Sequence, residues 1–199
     1  MFRLKYVIAG FAALVIGTTV HELTHVFVGR AVSGEWPIYE IVQVTQVVPF
    51  ASDFQRVVVT VAGPLVELVW IGLVGGAAIV TRGRRATFLA AAFGMLAIRA
   101  WAVLQVWVDA ARSAPGVDAW NYDLAKAAST FDGNEFLALH LMSAINALPI
   151  LVLLGAAIYL GLRVEGRRWG NMAVAVQGLL GAGLAMFALL MLRVFQALF

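Results

Sequence analysis

Cysteine is absent from this chain of 199 residues, which excludes disulfide bonds and thiolate metal ligands. Charged residues are also scarce, at 13% of the sequence, whereas hydrophobic residues make up 62% and the mean hydropathy is +0.91. A soluble domain of this length needs more polar groups to cover its surface. The basic residues lie in short clusters rather than in the long run or amphipathic stripe that binds nucleic acid. The composition therefore predicts a protein of the lipid bilayer with no nucleic-acid partner.

Long apolar runs set the predicted architecture. A helix needs about 20 apolar residues to cross the hydrocarbon core of a bilayer. Runs of about that length cover residues 6–29, 57–81, 86–107, 136–162 and 172–198. We find neither an internal repeat nor an appended soluble domain between them. The sequence therefore predicts an all-α polytopic membrane protein of about five transmembrane helices, forming one domain over residues 1–199.

The basic residues predict how this domain is oriented. They precede the first span and fill the loops between spans two and three and between spans four and five, whereas the other two loops are acidic. Because basic loops stay in the cytoplasm, we expect a multi-pass protein of the cell membrane. Its N-terminus is expected in the cytoplasm, and its C-terminus and acidic loops on the outer side. The basic residues in these three segments are Arg3, Lys5, Arg82, Arg84, Arg85, Arg163, Arg167 and Arg168.

The loop between the first two spans has a different pattern. Residues 41–48 are rich in valine and isoleucine, mixed with glutamine and threonine, and Pro37 and Pro49 bound the stretch. This composition is β-prone and predicts either a short hairpin resting on the membrane surface or an exposed strand edge. An exposed edge would pair with an extended segment of a substrate.

The first span carries the motif His21-Glu22-Leu23-Thr24-His25. Residues four apart lie on one face of a helix, so His21 and His25 can direct two imidazoles at one cation. Glu22 lies beside them, placed to accept a proton from a water on the metal. Ionisable groups within a membrane span are costly and are functional by default. The motif therefore predicts one Zn²⁺ per chain, because two imidazoles and a carboxylate leave a fourth position for water.

The second span is expected to bring a Gly-Pro pair to the same depth. His21 lies roughly 22 Å from the cytoplasmic end of the first span, and Gly63 and Pro64 lie about 9 Å from the outer end of the second. Gly63 allows close helix approach, and Pro64 frees a carbonyl and bends the helix. Ordinary packing or kinking explains such a pair equally well.

The third protein ligand of the zinc is expected from the acidic loop before the fourth span. We favour Asp123, in a segment that reads as a short helix, over Asp132, which begins the fourth span; either is equally compatible with a solvated loop charge or a helix cap. The other acidic candidates in and next to this loop are Asp109, Asp118 and Glu135.

Three further polar residues of the spans are candidates for pairing or for the site. Arg99 is placed to pair with Glu67, so that each offsets the intramembrane charge of the other, and a structural role for this pair is favoured over a catalytic one. His140 is either a neighbour of the metal that donates a proton to the oxyanion or a packing residue.

Taken together, HELTH in the first span, AGPLVE at residues 62–67 and a later aspartate resemble the site-2 protease family of intramembrane zinc metalloproteases. The resemblance implies zinc held by His21, His25 and that aspartate, with Glu22 as general base. It also implies cleavage of transmembrane or membrane-proximal segments of membrane-protein substrates. The chain resembles a compact member without PDZ or CBS domains.

The aspartate segments match the family in two ways. Asn121-Tyr122-Asp123 is similar to the segment of some compact members, and Phe131-Asp132-Gly133 to the Leu-Asp-Gly motif of larger ones. The family often has asparagine, thought to help hold the substrate, where this chain has Glu67. By this resemblance and by their position, Gly63, Pro64, Glu67 and His140 are candidate substrate-binding residues.

Two other functions are compatible with the same motif. The chain would be a zinc-dependent membrane hydrolase if its substrate were a lipid or a small amide. It would be a non-catalytic scaffold or a metal transporter if the histidines bound metal transiently. A transporter needs a polar path through several spans, whereas the polar residues here concentrate in the outer half.

Overall fold

The computed structural model describes residues 2–40, 43–81, 84–112, 130, 137, 141, 144, 147, 150, 151, 155 and 168–198. Within these ranges the chain forms four helices: α1 (Leu4–Ser33), α2 (Asp53–Val80), α3 (Arg85–Arg112) and α4 (Arg168–Leu198). Between α1 and α2 lie two short antiparallel strands, β1 (Ile38–Glu40) and β2 (Gln43–Thr45).

Three helical segments are long and apolar enough to cross a membrane: Leu4–Ser33, Asp53–Val80 and Met172–Gln196. The described part of α3 contributes a shorter apolar stretch, Arg85–Ala97. Most of the predicted fourth span lies outside the described residues, and the positions described within it are helical. The prediction of a mostly helical chain with membrane-length helices is therefore confirmed, whereas the count of five stays a prediction.

Local signals explain where α1 ends and where α2 begins. Gly34 ends α1 in the left-handed conformation, at φ 80°, and its N–H bonds to the carbonyl of Arg30. Such a backbone conformation strongly favours glycine. Ser52 begins α2, where its hydroxyl accepts the N–H of Gln55. Because these caps set the ends, α1 continues past the end of the apolar run that predicts it, and α2 begins before the start of its own.

Helix α1 lies at the centre, in contact with α2, α3 and α4. Its contact with α4 is close because glycines face backbone: a Cβ on Gly10 would collide with the carbonyl of Gly178, and one on Gly181 with the carbonyl of Val7. Small residues at a helix contact allow this approach, which is the usual way in which helices associate in lipid. Nearby, Leu14 packs against Ala182.

The apolar residues divide between a packed interior and an apolar exterior. Ile71, Met95, Leu96 and Ile150 are the largest fully buried side chains and belong to one cluster. Large apolar side chains are also exposed on each membrane-length helix, including Phe27, Leu65 and Phe187. Water solvates such a surface poorly, whereas hydrocarbon suits it.

The hairpin of β1 and β2 packs on the last turns of α1. A Cβ on Gly29 would lie 2.7 Å from the side-chain amide nitrogen of Gln46 and 2.9 Å from the ring of Pro37. Gly29 is one helical turn beyond His25, so this contact holds the hairpin next to the motif.

Candidate metal centre

His21 and His25 form a buried pair on one face of α1. They are 9% and 6% exposed, and their Nε2 atoms are 3.2 Å apart. The ring centroids are 4.9 Å apart, with an angle of 73° between the ring planes. The one-turn spacing of the motif therefore brings the same nitrogen of each ring to a common point.

The other nitrogen of each ring faces an acceptor on α2. His21 Nδ1 is 3.2 Å from Oε2 of Glu67, and His25 Nδ1 is 2.7 Å from the carbonyl oxygen of Val59. A carboxylate and a carbonyl only accept hydrogen bonds, so each Nδ1 carries the proton and donates. An imidazole with its single proton on Nδ1 carries a lone pair on Nε2, the atom through which the two rings face each other.

Two lone pairs at this separation fit a cation between them. Nitrogens that each bind a tetrahedral zinc ion at 2.0–2.1 Å stand about 3.3 Å apart. The Nε2 atoms of His21 and His25 are 3.2 Å apart. Acceptors at both Nδ1 atoms are also the usual partners of metal-bound histidines, since they orient the ring and raise its basicity. The donor set and its spacing therefore fit zinc.

Gly63 of α2 lies next to the Nε2 atoms of both histidines. A Cβ on this residue would lie 2.7 Å from Nε2 of His21 and closer still to Nε2 of His25. The missing side chain thus leaves space beside both Nε2 atoms. Pro64 follows, buried within the same helix, and cannot donate a backbone hydrogen bond to the preceding turn.

Replacing Gly63 with alanine is expected to remove zinc from the protein, because the added methyl group takes the space next to both Nε2 atoms. Zinc content should fall from about one ion per chain towards zero, as measured by elemental analysis of the purified protein. Gly72→Ala is the matched control on the same helix, since a Cβ there meets no atom of the described residues within 4 Å. Zinc retained at the wild-type level in Gly63→Ala would show that the metal does not occupy this space.

Glu67 joins the histidine pair to α3. Its Oε2 atom is 3.1 Å from a terminal guanidinium nitrogen of Arg99 as well as 3.2 Å from Nδ1 of His21. The predicted pairing of Glu67 with Arg99 is therefore present. The bond from His21 to Glu67 was not predicted, and neither was the bond from His25 to Val59, for which the sequence holds no signal because the acceptor is main chain.

The remaining candidates differ in what the structure describes. Glu22 is half-buried beside His21 on α1. Asp123, Asp132 and His140 lie outside the described residues. Within the described ranges, no group of three or more histidine, cysteine, aspartate or glutamate residues is arranged to hold a metal ion. The third ligand therefore stays a prediction, as do the substrate-binding roles of Gly63, Pro64, Glu67 and His140.

The described part of the chain is mostly helical, and its membrane-length helices enclose two buried histidines whose Nε2 atoms point towards each other. Comparison of the chain with models of protein families, with curated proteins and with solved structures finds no match.

Proposed function

We propose that the chain is an intramembrane zinc metalloendopeptidase that cleaves transmembrane or membrane-proximal segments of other membrane proteins. The observation that supports this most is the pair of Nε2 atoms of His21 and His25, 3.2 Å apart, beside the space left by Gly63. These histidines flank Glu22 in the HExxH pattern, in which the two histidines bind zinc and the glutamate is the general base.

His21 and His25 would hold the metal through Nε2, with Asp123 or, failing that, Asp132 as the third ligand. Zinc, when bound, lowers the pKa of water and polarises a carbonyl group. Glu22 accepts a proton from the attacking water and later passes it to the nitrogen of the leaving amine, so the peptide bond breaks with no net change in protons. Two imidazoles and one carboxylate leave the fourth position of a tetrahedral site open.

The substrate must be extended where it is cut, since the carbonyls of an intact helix are already hydrogen-bonded and shielded. The β1–β2 hairpin supports this requirement. It packs against Gly29, one turn beyond His25, and a two-stranded sheet has an edge to which an extended segment can pair. Gly63, Pro64, Glu67 and His140 are the candidate contacts for that segment. We place the N-terminus in the cytoplasm and this hairpin on the outer side of the cell membrane.

The test is to reconstitute the purified protein in liposomes with a panel of single-span peptides that carry or lack glycine and proline near one membrane face. Products are identified by mass spectrometry of both the peptides and the lipids. We expect new peptide termini from the helix-weakened members of the panel, with cleavage lost on zinc chelation and recovered when zinc is restored.

Other results would favour the rival functions. Lipid products without peptide products would indicate a zinc-dependent membrane hydrolase. Zinc flux into the liposomes without any cleavage would indicate a transporter, and neither cleavage nor flux a metal-binding scaffold.

A further inference from the structure

One carboxylate oxygen links three helices at the histidine pair. Oε2 of Glu67, on α2, contacts Nδ1 of His21, on α1, at 3.2 Å and the guanidinium of Arg99, on α3, at 3.1 Å. The side chains of Glu67 and Arg99 are 11% and 14% exposed. The contact is therefore shielded from competing water, which strengthens both hydrogen bonds.

The two histidines differ in what holds them. The acceptor for His25 is the main-chain carbonyl of Val59, which stays in place whatever the side chain at that position. The acceptor for His21 is a side chain, and that side chain is itself held by a residue of another helix. The Nδ1 contact of His21 therefore depends on both Glu67 and Arg99, whereas the Nδ1 contact of His25 is to the backbone.

The charges of this cluster favour the same interpretation. A buried carboxylate is strongly unfavourable unless it is paired. Arg99 supplies the opposite charge and thereby keeps an ionised acceptor against His21, and hydrogen bonds to ionised acceptors are the stronger ones. Partners of this kind fix the tautomer of a metal-binding histidine, and their loss commonly lowers metal affinity by about 10–100-fold.

We infer that Glu67 and Arg99 are positioning residues that set the zinc affinity of His21, so that the docking of α3 controls how tightly the site holds its metal. The inference rests on the zinc site of the proposed function. It assigns to Glu67 a role towards the metal ligand rather than towards the substrate.

Two double variants of the full-length protein test the inference. Glu67→Met/Arg99→Met removes both charges together and also the acceptor, whereas Glu67→Gln/Arg99→Met removes the charges and leaves an oxygen that can accept from His21 Nδ1. In both variants the two members of the Glu67–Arg99 pair are replaced together, which avoids the usual cause of misfolding when only half of a pair is replaced. Thr60→Val is the matched control, since Thr60 is a buried polar residue of α2 whose hydroxyl, among the described residues, bonds within its own helix to the carbonyl of Arg56.

Two quantities are measured in detergent: the zinc dissociation constant, by competition with a chromogenic chelator, and the melting temperature of the metal-free protein. We expect zinc binding to weaken by about 10–100-fold in the Met/Met variant and by less in the Gln/Met variant. The metal-free melting temperature should stay near that of the wild type in both. Thr60→Val should bind zinc as the wild type does.

The outcomes separate this inference from the function on which it rests. Wild-type zinc affinity in a folded Met/Met variant would overturn the positioning role and leave the zinc site intact. Failure of the wild type itself to bind zinc would overturn both. If the Met/Met variant does not fold, Glu67→Leu/Arg99→Leu takes its place with the same expected loss of affinity.

Discussion

Replacing Glu22 with glutamine is expected to reduce peptide cleavage by about 10²–10⁴-fold, the usual contribution of a general base. Glutamine has nearly the same shape as glutamate but cannot accept the proton of the attacking water. The zinc content should stay at the wild-type level, because in the proposed site His21 and His25, and not Glu22, hold the metal. The measurement is the initial rate of peptide-product formation in liposomes, together with zinc content by elemental analysis.

The matched control is Glu35→Gln, which makes the same substitution at an exposed residue between α1 and the hairpin. It should cleave at the wild-type rate. Full cleavage by Glu22→Gln in the reconstituted system would contradict the proposed mechanism. A loss of cleavage accompanied by a loss of zinc would instead indicate that Glu22 supports the metal site.

Replacing either histidine of the pair with alanine is expected to remove the metal altogether. We expect about one zinc ion per wild-type chain and close to none in His21→Ala or His25→Ala, since each variant loses one of the three protein ligands of the proposed site. Elemental analysis of detergent-purified protein measures this directly. No zinc in the wild type, even after zinc is supplied, would reduce the HELTH sequence to a packing motif.

The same measurement identifies the third ligand. Of Asp123→Ala and Asp132→Ala, only one should lose zinc, and we expect it to be Asp123→Ala. The control is Asp53→Ala, at an exposed residue in the first turn of α2. Retention of zinc in both loop variants would place the third ligand elsewhere in the chain.

Much of the helical fold was predictable because lipid imposes simple requirements on a sequence. A membrane span must be long, apolar and helical, so hydropathy alone locates α1, α2 and α4. The ends of α1 and α2 were less predictable, because Ser52 and Gly34 place them by capping rather than by hydropathy. A cap residue extends a helix past its apolar run without changing the composition of that run.

The histidine pair was predictable for a similar reason: a spacing of four residues in a helix fixes which side chains share a face. The pairing of Arg99 with Glu67 followed from the cost of two unpaired charges in lipid. The first prediction needs only the local geometry of one helix. The second holds because unpaired charges in lipid are strongly unfavourable, so few other arrangements are possible.

Contacts that depend on the register between helices were not predictable. Depth alone placed Gly63 near His21, but depth does not say which face of α2 the glycine presents. Nor does it say that Glu67, one turn further along α2, reaches Nδ1 of the same histidine. These features depend on how α1 and α2 rotate against each other, which is set by packing of many side chains and not by any short motif.

The close contact of α1 with α4 also bears on how the protein is made. Gly10 and Val7 of α1 pack on Gly178 and Gly181 of α4, and the other described helices lie between them in the sequence. During translation α1 is made before α4, so the glycine-containing face of α1 lacks its α4 partner until α4 has been synthesised. The central helix of the bundle thus gains its contact with α4 only after the intervening helices have been synthesised, so that assembly of the bundle follows the order of translation.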